Sequence, residues 1–166
     1  AYRGALKTSE NLSGKSLASN ASLDRFYNYL SALKTDVVTF DLAAFKKDIQ
    51  SGMYFDSSIP QGYGVGSSGA LVASIYDEYA SDKITVLENL TRDKLLNLKA
   101  VFALMESFFH GKSSGLDPLN SYLSLPILIN AKDSIEPAGI PSQKEGKGAV
   151  FLLDSEQIGE TEPMVN

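Results

Sequence analysis

The feature that most constrains the fold of this chain is a glycine-rich stretch at residues 59–70, which reads IPQGYGVGSSGA. Glycine occupies alternate positions from Gly62 to Gly66, and two serines follow. Because glycine has no Cβ, its backbone N–H group can approach a ligand closely. A helix beginning at Ser67 would also aim its unpaired N–H groups and its positive dipole end at an anion. The stretch therefore predicts an anion-binding loop that opens a helix.

Composition limits the class of protein. The 166 residues are 43% hydrophobic and 21% charged, which is typical of one globular domain. Twenty acidic and fifteen basic residues give a net charge of -5 without a dense basic run, so we expect no nucleic-acid partner. No apolar run approaches the ~20 residues that span a bilayer, so we expect no membrane partner. The lack of cysteine excludes disulfides and Cys-ligated metals and favours a cytoplasmic location.

Hydrophobic periodicity predicts an α+β fold around the glycine-rich stretch. Residues 53–59 are predicted as a strand that leads into it, and the helix after it is predicted to run to about Tyr79. Residues 1–20 show little periodicity and are predicted as an exposed loop or the remains of a severed element. Three more helices are predicted: one from Ser22, one capped by Asp41 and ended by Gly52, and one that starts at Thr91.

The remaining segments carry weaker signals. Residues 84–87 form a short apolar run that predicts a strand or a connection. Residues 125–129 and 148–153 are predicted as strands, with residues 131–147 as a loop or hairpin between them.

A second group of candidate functional residues lies at the end of the helix that starts at Thr91. At 100° per residue, Glu106 is about 40° from Phe102, on the edge of the apolar stripe, which is an unusual place for a carboxylate. Lys99 lies near the same edge, so an ordinary ion pair is the alternative interpretation. The small-residue loop HGKSSGLD follows at residues 110–117 and contains the only histidine. Loops of this kind often carry functional sites.

Two known phosphate-binding patterns can be compared with the glycine-rich stretch. A P-loop, G-x-x-x-x-G-K-[ST], requires a lysine before the hydroxyl, whereas Gly66 precedes Ser67 here. The dinucleotide fingerprint G-x-G-x-x-G matches residues 64–69 literally, and Glu88 stands about 20 residues further on. Against it, four residues separate the predicted strand from the first glycine of the fingerprint, where a tight turn is expected. The dinucleotide interpretation also leaves the second group unexplained.

Both groups together resemble a known family. Residues 60–70 resemble the second signature of the GHMP kinases (galactokinase, homoserine kinase, mevalonate kinase and phosphomevalonate kinase), the ATP-phosphate loop P-x-x-x-G-L-G-S-S-A. Val65 replaces the usual Leu and Gly69 the usual Ala, and both changes are conservative in size. Residues 106–117 are similar to the pattern E-x-x-x-H-G-x-x-S-G-x-D of the mevalonate kinase branch, with the same eleven-residue gap between the two carboxylates.

The resemblance implies a fold, a reaction and a set of roles. The fold would be the N-terminal domain of these kinases, a ribosomal-protein-like two-layer α/β sandwich. The reaction would transfer the γ-phosphoryl group of ATP to a small-molecule alcohol, most closely the 5-hydroxyl of mevalonate in isoprenoid biosynthesis, with ATP and Mg²⁺ as cofactors. Ser68 and Glu106 would bind Mg²⁺, and Asp117 would accept the proton of the attacking hydroxyl. The residues that would contact ATP are Pro60, Gly62, Tyr63, Gly64, Val65, Gly66, Ser67 and Ser68, and those that would shape the second loop are His110, Gly111, Ser114 and Gly115.

Simpler structural roles are open for the same residues. Ser67 and Ser68 can act as helix N-caps. Glu106 can be a surface acid in an ion pair. Asp117, which precedes Pro118, can cap a short helix over residues 119–123.

The resemblance covers residues 53–123, with weaker similarity at residues 148–153. The first signature of the family, a P-G-K/R strand and loop, and the third, G-x-G-G-G, have no counterpart here. We therefore expect residues 1–166 to be a partial ATP-binding domain from the middle of a kinase, and to bind nucleotide poorly alone. The alternatives are another GHMP kinase, a non-catalytic nucleotide-binding relative and, more distantly, an NAD-dependent oxidoreductase. The sequence also leaves open whether the protein forms a homodimer.

Overall fold

The chain folds into a mixed α+β structure. The computed structural model describes residues 4–59, 64–85, 90–131 and 134–138. Within these ranges the elements, in chain order, are β1 (Gly4–Thr8), α1 (Gly14–Ala32), α2 (Leu42–Gln50), β2 (Met53–Ser57), α3 (Ser67–Tyr79), α4 (Arg92–His110), α5 (Leu116–Leu123), β3 (Ile127–Ala131) and β4 (Ser134–Pro137). The α+β prediction is confirmed at this level.

The strands of the described residues form two small antiparallel sheets. β1 pairs with β2 so that Gly4 faces Ser57 and Thr8 faces Met53. β3 and β4 form a hairpin in which Ile127 faces Pro137. α1 and α2 pack against β2, and α3 packs against β1. β2 is the strand that leads towards the glycine-rich stretch, as the sequence predicts.

Three helices meet around an aromatic cluster that fixes their relative positions. Tyr76 of α3 lies 5.0 Å from Phe102 of α4 and 5.2 Å from Tyr122 of α5, measured between ring centroids in edge-on geometry. Phe102 and Tyr122 are themselves 5.6 Å apart. Such pairs contribute about 0.5–1.5 kcal/mol each beyond the area they bury. The cluster therefore holds α3, α4 and α5 together as one unit.

The first helix differs from its predicted start. Helix α1 begins at Gly14 instead of Ser22, and residues 4–8 form β1, so of the two alternatives for this segment the exposed loop is wrong there. The backbone N–H of Ser13 donates to Ser16 Oγ at 3.0 Å, so these two serines supply the start of the helix. The buried residues of α1 begin at Leu23, which explains why the first two turns carry no apolar periodicity.

The other predicted helix starts are confirmed. The Asp41 carboxylate accepts from the backbone N–H of Ala44 at 2.9 Å and caps α2, and Gly52 follows the end of that helix. The Thr91 hydroxyl accepts from the N–H of Lys94 at 3.3 Å at the start of α4. Helix α3 runs from Ser67 to Tyr79 as predicted.

Several predicted segments are shifted or lie outside the description. The predicted strand at residues 125–129 appears as β3, two residues later. β4 lies within the segment predicted as a loop or hairpin and forms a hairpin with β3. Ile84 and Thr85 are not in a strand. Leu87, Glu88 and the predicted strand at residues 148–153 lie outside the described residues. Among the helices of the described residues, none has the length and apolarity needed to cross a membrane.

Candidate functional site

The first turn of α3 forms one side of the candidate site. Gly66, the residue before the helix, has left-handed backbone angles (φ 77°, ψ 31°) that a residue with a Cβ adopts only at a cost. The first intrahelical bond at this end runs from the N–H of Ala70 to the carbonyl of Gly66, at 3.0 Å. No side chain caps the helix in the described part of the chain. Its leading N–H groups are therefore available to an acceptor.

The residues implied for ATP contact fall partly within the description. Ser67 and Ser68 are the first two residues of α3. Before the helix, Gly64 is exposed and Val65 is half-buried. Pro60, Gly62 and Tyr63 lie outside the described residues. Neither serine is the N-cap residue of the helix, so the N-cap alternative for this pair is wrong.

Glu106, in the last turn of α4, forms the other side of the site. Only 3% of its surface is exposed, and its neighbour Met105 is fully buried. The sequence predicts this carboxylate at the edge of the apolar stripe, and the fold buries it there. Such burial is costly for a charged group unless hydrogen bonds compensate for lost hydration.

Two serine hydroxyls provide that compensation. Ser68 Oγ donates to Glu106 Oε1 at 3.2 Å, across 38 residues of sequence. Ser113 Oγ donates to Glu106 Oε2 in a short hydrogen bond. Both carboxylate oxygens therefore have hydroxyl partners from different elements, and the ion pair considered with Lys99 is not how the carboxylate is satisfied.

The environment of Glu106 raises the pKa of its carboxyl above the ordinary value, chiefly because burial disfavours the charged form. The negative charge of Asp117 acts in the same direction. The hydrogen bonds from Ser113 and Ser68 and the proximity of His110 lower the pKa and oppose the shift. The interaction with Asp117 shows that the two carboxylates implied by the resemblance are close enough to influence each other.

His110 lies at the end of α4 and contacts the same serine. Its Nε2 is 3.0 Å from Ser68 Oγ. A hydroxyl has one proton, so when Ser68 donates to Glu106, His110 Nε2 must carry a proton and donate to Ser68 Oγ. Glu106, Ser68 and His110 thus form a continuous hydrogen-bonded chain between α3 and α4. His110 thus contacts α3, and its implied role in shaping the second loop stays a prediction.

Asp117 lies beside the start of α3 because two backbones approach closely there. A Cβ built on Gly69 would lie 2.8 Å from the carbonyl carbon of Asp117 and 2.8 Å from the nitrogen of Pro118. Contacts this short are essentially never seen, so glycine is what permits the approach. The replacement of the usual Ala by Gly69 is therefore not a neutral change in size in this fold.

The backbone before α5 also lies very close to the backbone of α4. A Cβ on Gly115 would lie 2.2 Å from the carbonyl oxygen of Lys99, and Gly115 has a φ of 73°. Gly115 is the N-cap residue of α5, which starts at Leu116, so the predicted N-cap role of Asp117 for residues 119–123 is wrong. Asp117 is instead an exposed residue of the first turn.

The other loop residues have local roles. Gly111 follows α4, and its N–H donates to the carbonyl of Ser107 at 2.9 Å. Ser114 Oγ accepts from the N–H of Leu116 at 3.3 Å, at the start of α5. These contacts stabilise the connection between α4 and α5, and the roles that the resemblance implies for Gly111, Ser114 and Gly115 stay predictions.

Ser113 is a site residue that the sequence did not single out. Its hydroxyl donates to Glu106 and accepts from the backbone N–H of Gly115 at 2.9 Å. The available signal was a serine two residues before a glycine, a spacing that favours a side-chain-to-backbone turn.

The donors that converge here are suited to a hard cation. Ser68 Oγ and Glu106 Oε1 are adjacent oxygen atoms, and Mg²⁺ prefers oxygen ligands while retaining waters or phosphate oxygens. Among the described residues, no group of three or more His, Asp or Glu side chains could hold a metal ion. The chemistry of these two oxygen donors is compatible with a cation that takes its remaining ligands from water or phosphate.

Comparison of the chain with protein-family models, with curated proteins and with solved structures gave no match.

Proposed function

We propose that this chain carries the ATP-phosphate loop, the metal ligands and the catalytic base of a small-molecule kinase of the GHMP type, with an alcohol as acceptor. The observation that carries the proposal is the hydrogen bond between Ser68, at the start of α3, and the buried carboxylate of Glu106. It joins the two sequence motifs in space at the end of a helix suited to bind an anion. Mevalonate is the first candidate acceptor because the spacing from Glu106 to Asp117 resembles that branch of the family.

The start of α3 supports phosphate binding. The leading N–H groups and the positive end of the helix dipole favour the negative charge of the ATP phosphates. Ser68 and Glu106 would hold Mg²⁺ through their oxygen atoms, and the ion would offset phosphate charge during transfer. The buried position of Glu106 keeps its carboxylate in a fixed place.

Asp117 supports the acceptor side of the reaction. The acceptor oxygen would form a bond to the γ-phosphorus while the bond from that phosphorus to the β,γ-bridging oxygen breaks, releasing ADP. The hydroxyl proton would pass to the carboxylate of Asp117, which is exposed and next to the start of α3. The close approach of Gly69 to Asp117 supports this placement of the base beside the phosphates.

The antiparallel pairing of β1 and β2 argues against the dinucleotide alternative. A dinucleotide fingerprint belongs to a parallel βαβ unit, whereas β2 pairs antiparallel with β1 in the described residues. The finer fold assignment, a GHMP-type N-terminal domain, belongs to the same proposal, as does the cytoplasmic location. Phosphomevalonate or a sugar as the acceptor would leave the proposed roles of these residues unchanged.

Substitution of Asp117 in the full-length protein tests the proposal. We expect Asp117→Asn to lower acceptor-dependent ADP release by at least roughly 100-fold, because the proton acceptor is lost, and to leave Mg-ATP binding largely unchanged. Asp77→Asn, an exposed carboxylate at the other end of α3, is the matched control and should keep its activity. Turnover of Asp117→Asn equal to that of the control would rule out the base.

A further inference from the structure

Ser113 lies in the short connection between α4 and α5 and has both of its hydrogen-bonding functions engaged. Its hydroxyl proton is donated to Glu106 Oε2. Its oxygen accepts from the backbone N–H of Gly115 at 2.9 Å. One half-buried hydroxyl therefore links the carboxylate at the end of α4 to the N-cap residue of α5.

This hydrogen bond fixes the orientation of the Glu106 carboxylate. The terminal torsion of a glutamate is broad, so packing alone leaves the two oxygens free to rotate. With Oε2 held by Ser113, Oε1 is directed to Ser68 Oγ at 3.2 Å, towards the start of α3. Each carboxylate oxygen of Glu106 thus accepts a hydrogen bond from a different serine, Oε2 from Ser113 and Oε1 from Ser68.

We propose that Ser113 is a positioning residue for phosphoryl transfer, which holds Glu106 so that Oε1 and Ser68 Oγ face the cation together. The inference rests on the proposed kinase function. In this role Ser113 acts through Glu106, its hydrogen-bond partner, and would not itself be a ligand of the cation. Residues that orient a metal ligand typically change metal affinity by 10–100-fold when removed.

The neighbouring serines show that this role is specific to one position. Ser114 is exposed, and its hydroxyl accepts from the N–H of Leu116 instead of contacting Glu106. Ser107 is half-buried in α4, and its hydroxyl donates to the carbonyl of Ala103 at 2.7 Å within the same helix. Ser107→Ala is therefore a matched control that removes a hydroxyl near the site without changing the partners of Glu106.

The test compares Ser113→Ala, Ser113→Thr and Ser107→Ala in the full-length protein. The first readout is direct binding of Mn²⁺, as a paramagnetic substitute for Mg²⁺, in the presence of ATP and without acceptor. The second is the Mg²⁺ concentration that gives half-maximal ADP release, together with the KM for the acceptor. Thermal melting shows that each variant is folded.

We expect Ser113→Ala to weaken Mn²⁺ binding and to raise the required Mg²⁺ concentration by about tenfold or more, with the acceptor KM within about twofold of the wild type. Ser113→Thr keeps the hydroxyl and should restore both values, and Ser107→Ala should match the wild type. Unchanged metal binding in Ser113→Ala, or equal impairment of the Ala and Thr variants, would overturn the positioning role. A wild-type protein that binds Mn²⁺ with ATP but shows no such effect of Ser113→Ala overturns this role alone. If the folded wild type binds no Mn²⁺ with ATP and releases no ADP, both proposals fail.

Discussion

Ser68 Oγ and Glu106 Oε1 lie 3.2 Å apart, and their hydrogen bond joins the first turn of α3 to the last turn of α4. The carboxylate belongs to a side chain with 3% of its surface exposed. A buried acid satisfied by hydroxyls from two other segments is an expensive arrangement if its only purpose is structural. We propose that its position beside the N-terminus of α3 gives it a function, because a cation held there would also contact a bound phosphate.

Glu106→Gln should stabilise the fold while removing activity. Burial raises the pKa of Glu106, so the folded protein binds its proton more tightly than the unfolded chain. Stability linked to this group is therefore complete below the ordinary pKa of 4.5 and is lost as the pH rises through the raised value. A neutral glutamine avoids that loss, accepts from Ser113 and donates to Ser68.

At neutral pH we expect Glu106→Gln to raise the free energy of unfolding by on the order of 1 kcal/mol, measured by urea denaturation. ADP release by the full-length protein should fall by roughly 100-fold or more. A loss of stability at pH 7, or retention of full activity, would show that the carboxylate charge has a structural purpose instead.

Gly69→Ala should destabilise the fold, although the same change at an open helix position is stabilising by ~0.5–1 kcal/mol. The added Cβ would meet the backbone of Asp117 and Pro118 at 2.8 Å, and backbone cannot move aside cheaply. We expect the free energy of unfolding to fall by about 1–3 kcal/mol and ADP release to fall because Asp117 is displaced. Chemical denaturation measures the sign of the change in the free energy of unfolding. A variant more stable than the wild type would contradict the close approach of the two backbones.

Gly115→Ala and Gly66→Ala form a matched pair. Each of these glycines directly precedes a helix and itself has left-handed backbone angles, with φ 73° at Gly115 and φ 77° at Gly66. The Cβ at Gly115 would collide with the Lys99 carbonyl at 2.2 Å, whereas that at Gly66 meets no atom of the described residues within 4 Å. We expect Gly66→Ala to cost about 1–2 kcal/mol from strain alone, and Gly115→Ala to cost a further ~1–3 kcal/mol. Equal thermal melting of the two variants would mean that α5 does not rest on α4 as described.

The fold should lose stability in alkali partly through Tyr122. Burial, with the proximity of Tyr76, raises the pKa of Tyr122 from 10.0 to about 12. The contribution of this side chain to the free energy of unfolding is therefore complete below pH 10 and is lost as the pH rises from 10 to 12. Its hydroxyl donates to the carbonyl of Ile84 at 3.0 Å, a bond worth about 1 kcal/mol. Urea denaturation between pH 9 and 12 should show a shallower decline for Tyr122→Phe than for the wild type. Parallel curves would contradict the assignment.

The sequence predicts the local parts of this fold well. The caps at Asp41 and Thr91 and the start of α3 at Ser67 depend on neighbouring residues, and all three are confirmed. The start of α1 was placed too late because the serines at its beginning carry no apolar pattern. The sequence does not predict β1, because this strand is stabilised by pairing with β2, which follows more than 40 residues later.

The site was predictable only where residue type and spacing carry the information. Glu106 stood out as an acid beside an apolar stripe, and the resemblance linked it to Ser68 and Asp117; their catalytic roles stay predictions. The spacing to Gly115 indicates only the local turn of Ser113; its contact with Glu106 is not predictable, because it depends on how the loop folds back on α4. The crowding at Gly69 is likewise a property of two packed backbones, which no local pattern reveals.

The most direct test is acceptor-dependent ADP release by the full-length protein with Mg-ATP, measured across a panel of alcohols that includes mevalonate, phosphomevalonate and sugars. We predict that ADP forms only when an alcohol acceptor is present, fastest with mevalonate, in equal amount to the phosphorylated product. A folded full-length protein that releases no ADP with any acceptor, and that NAD but not Mg-ATP protects from melting, would contradict the kinase assignment.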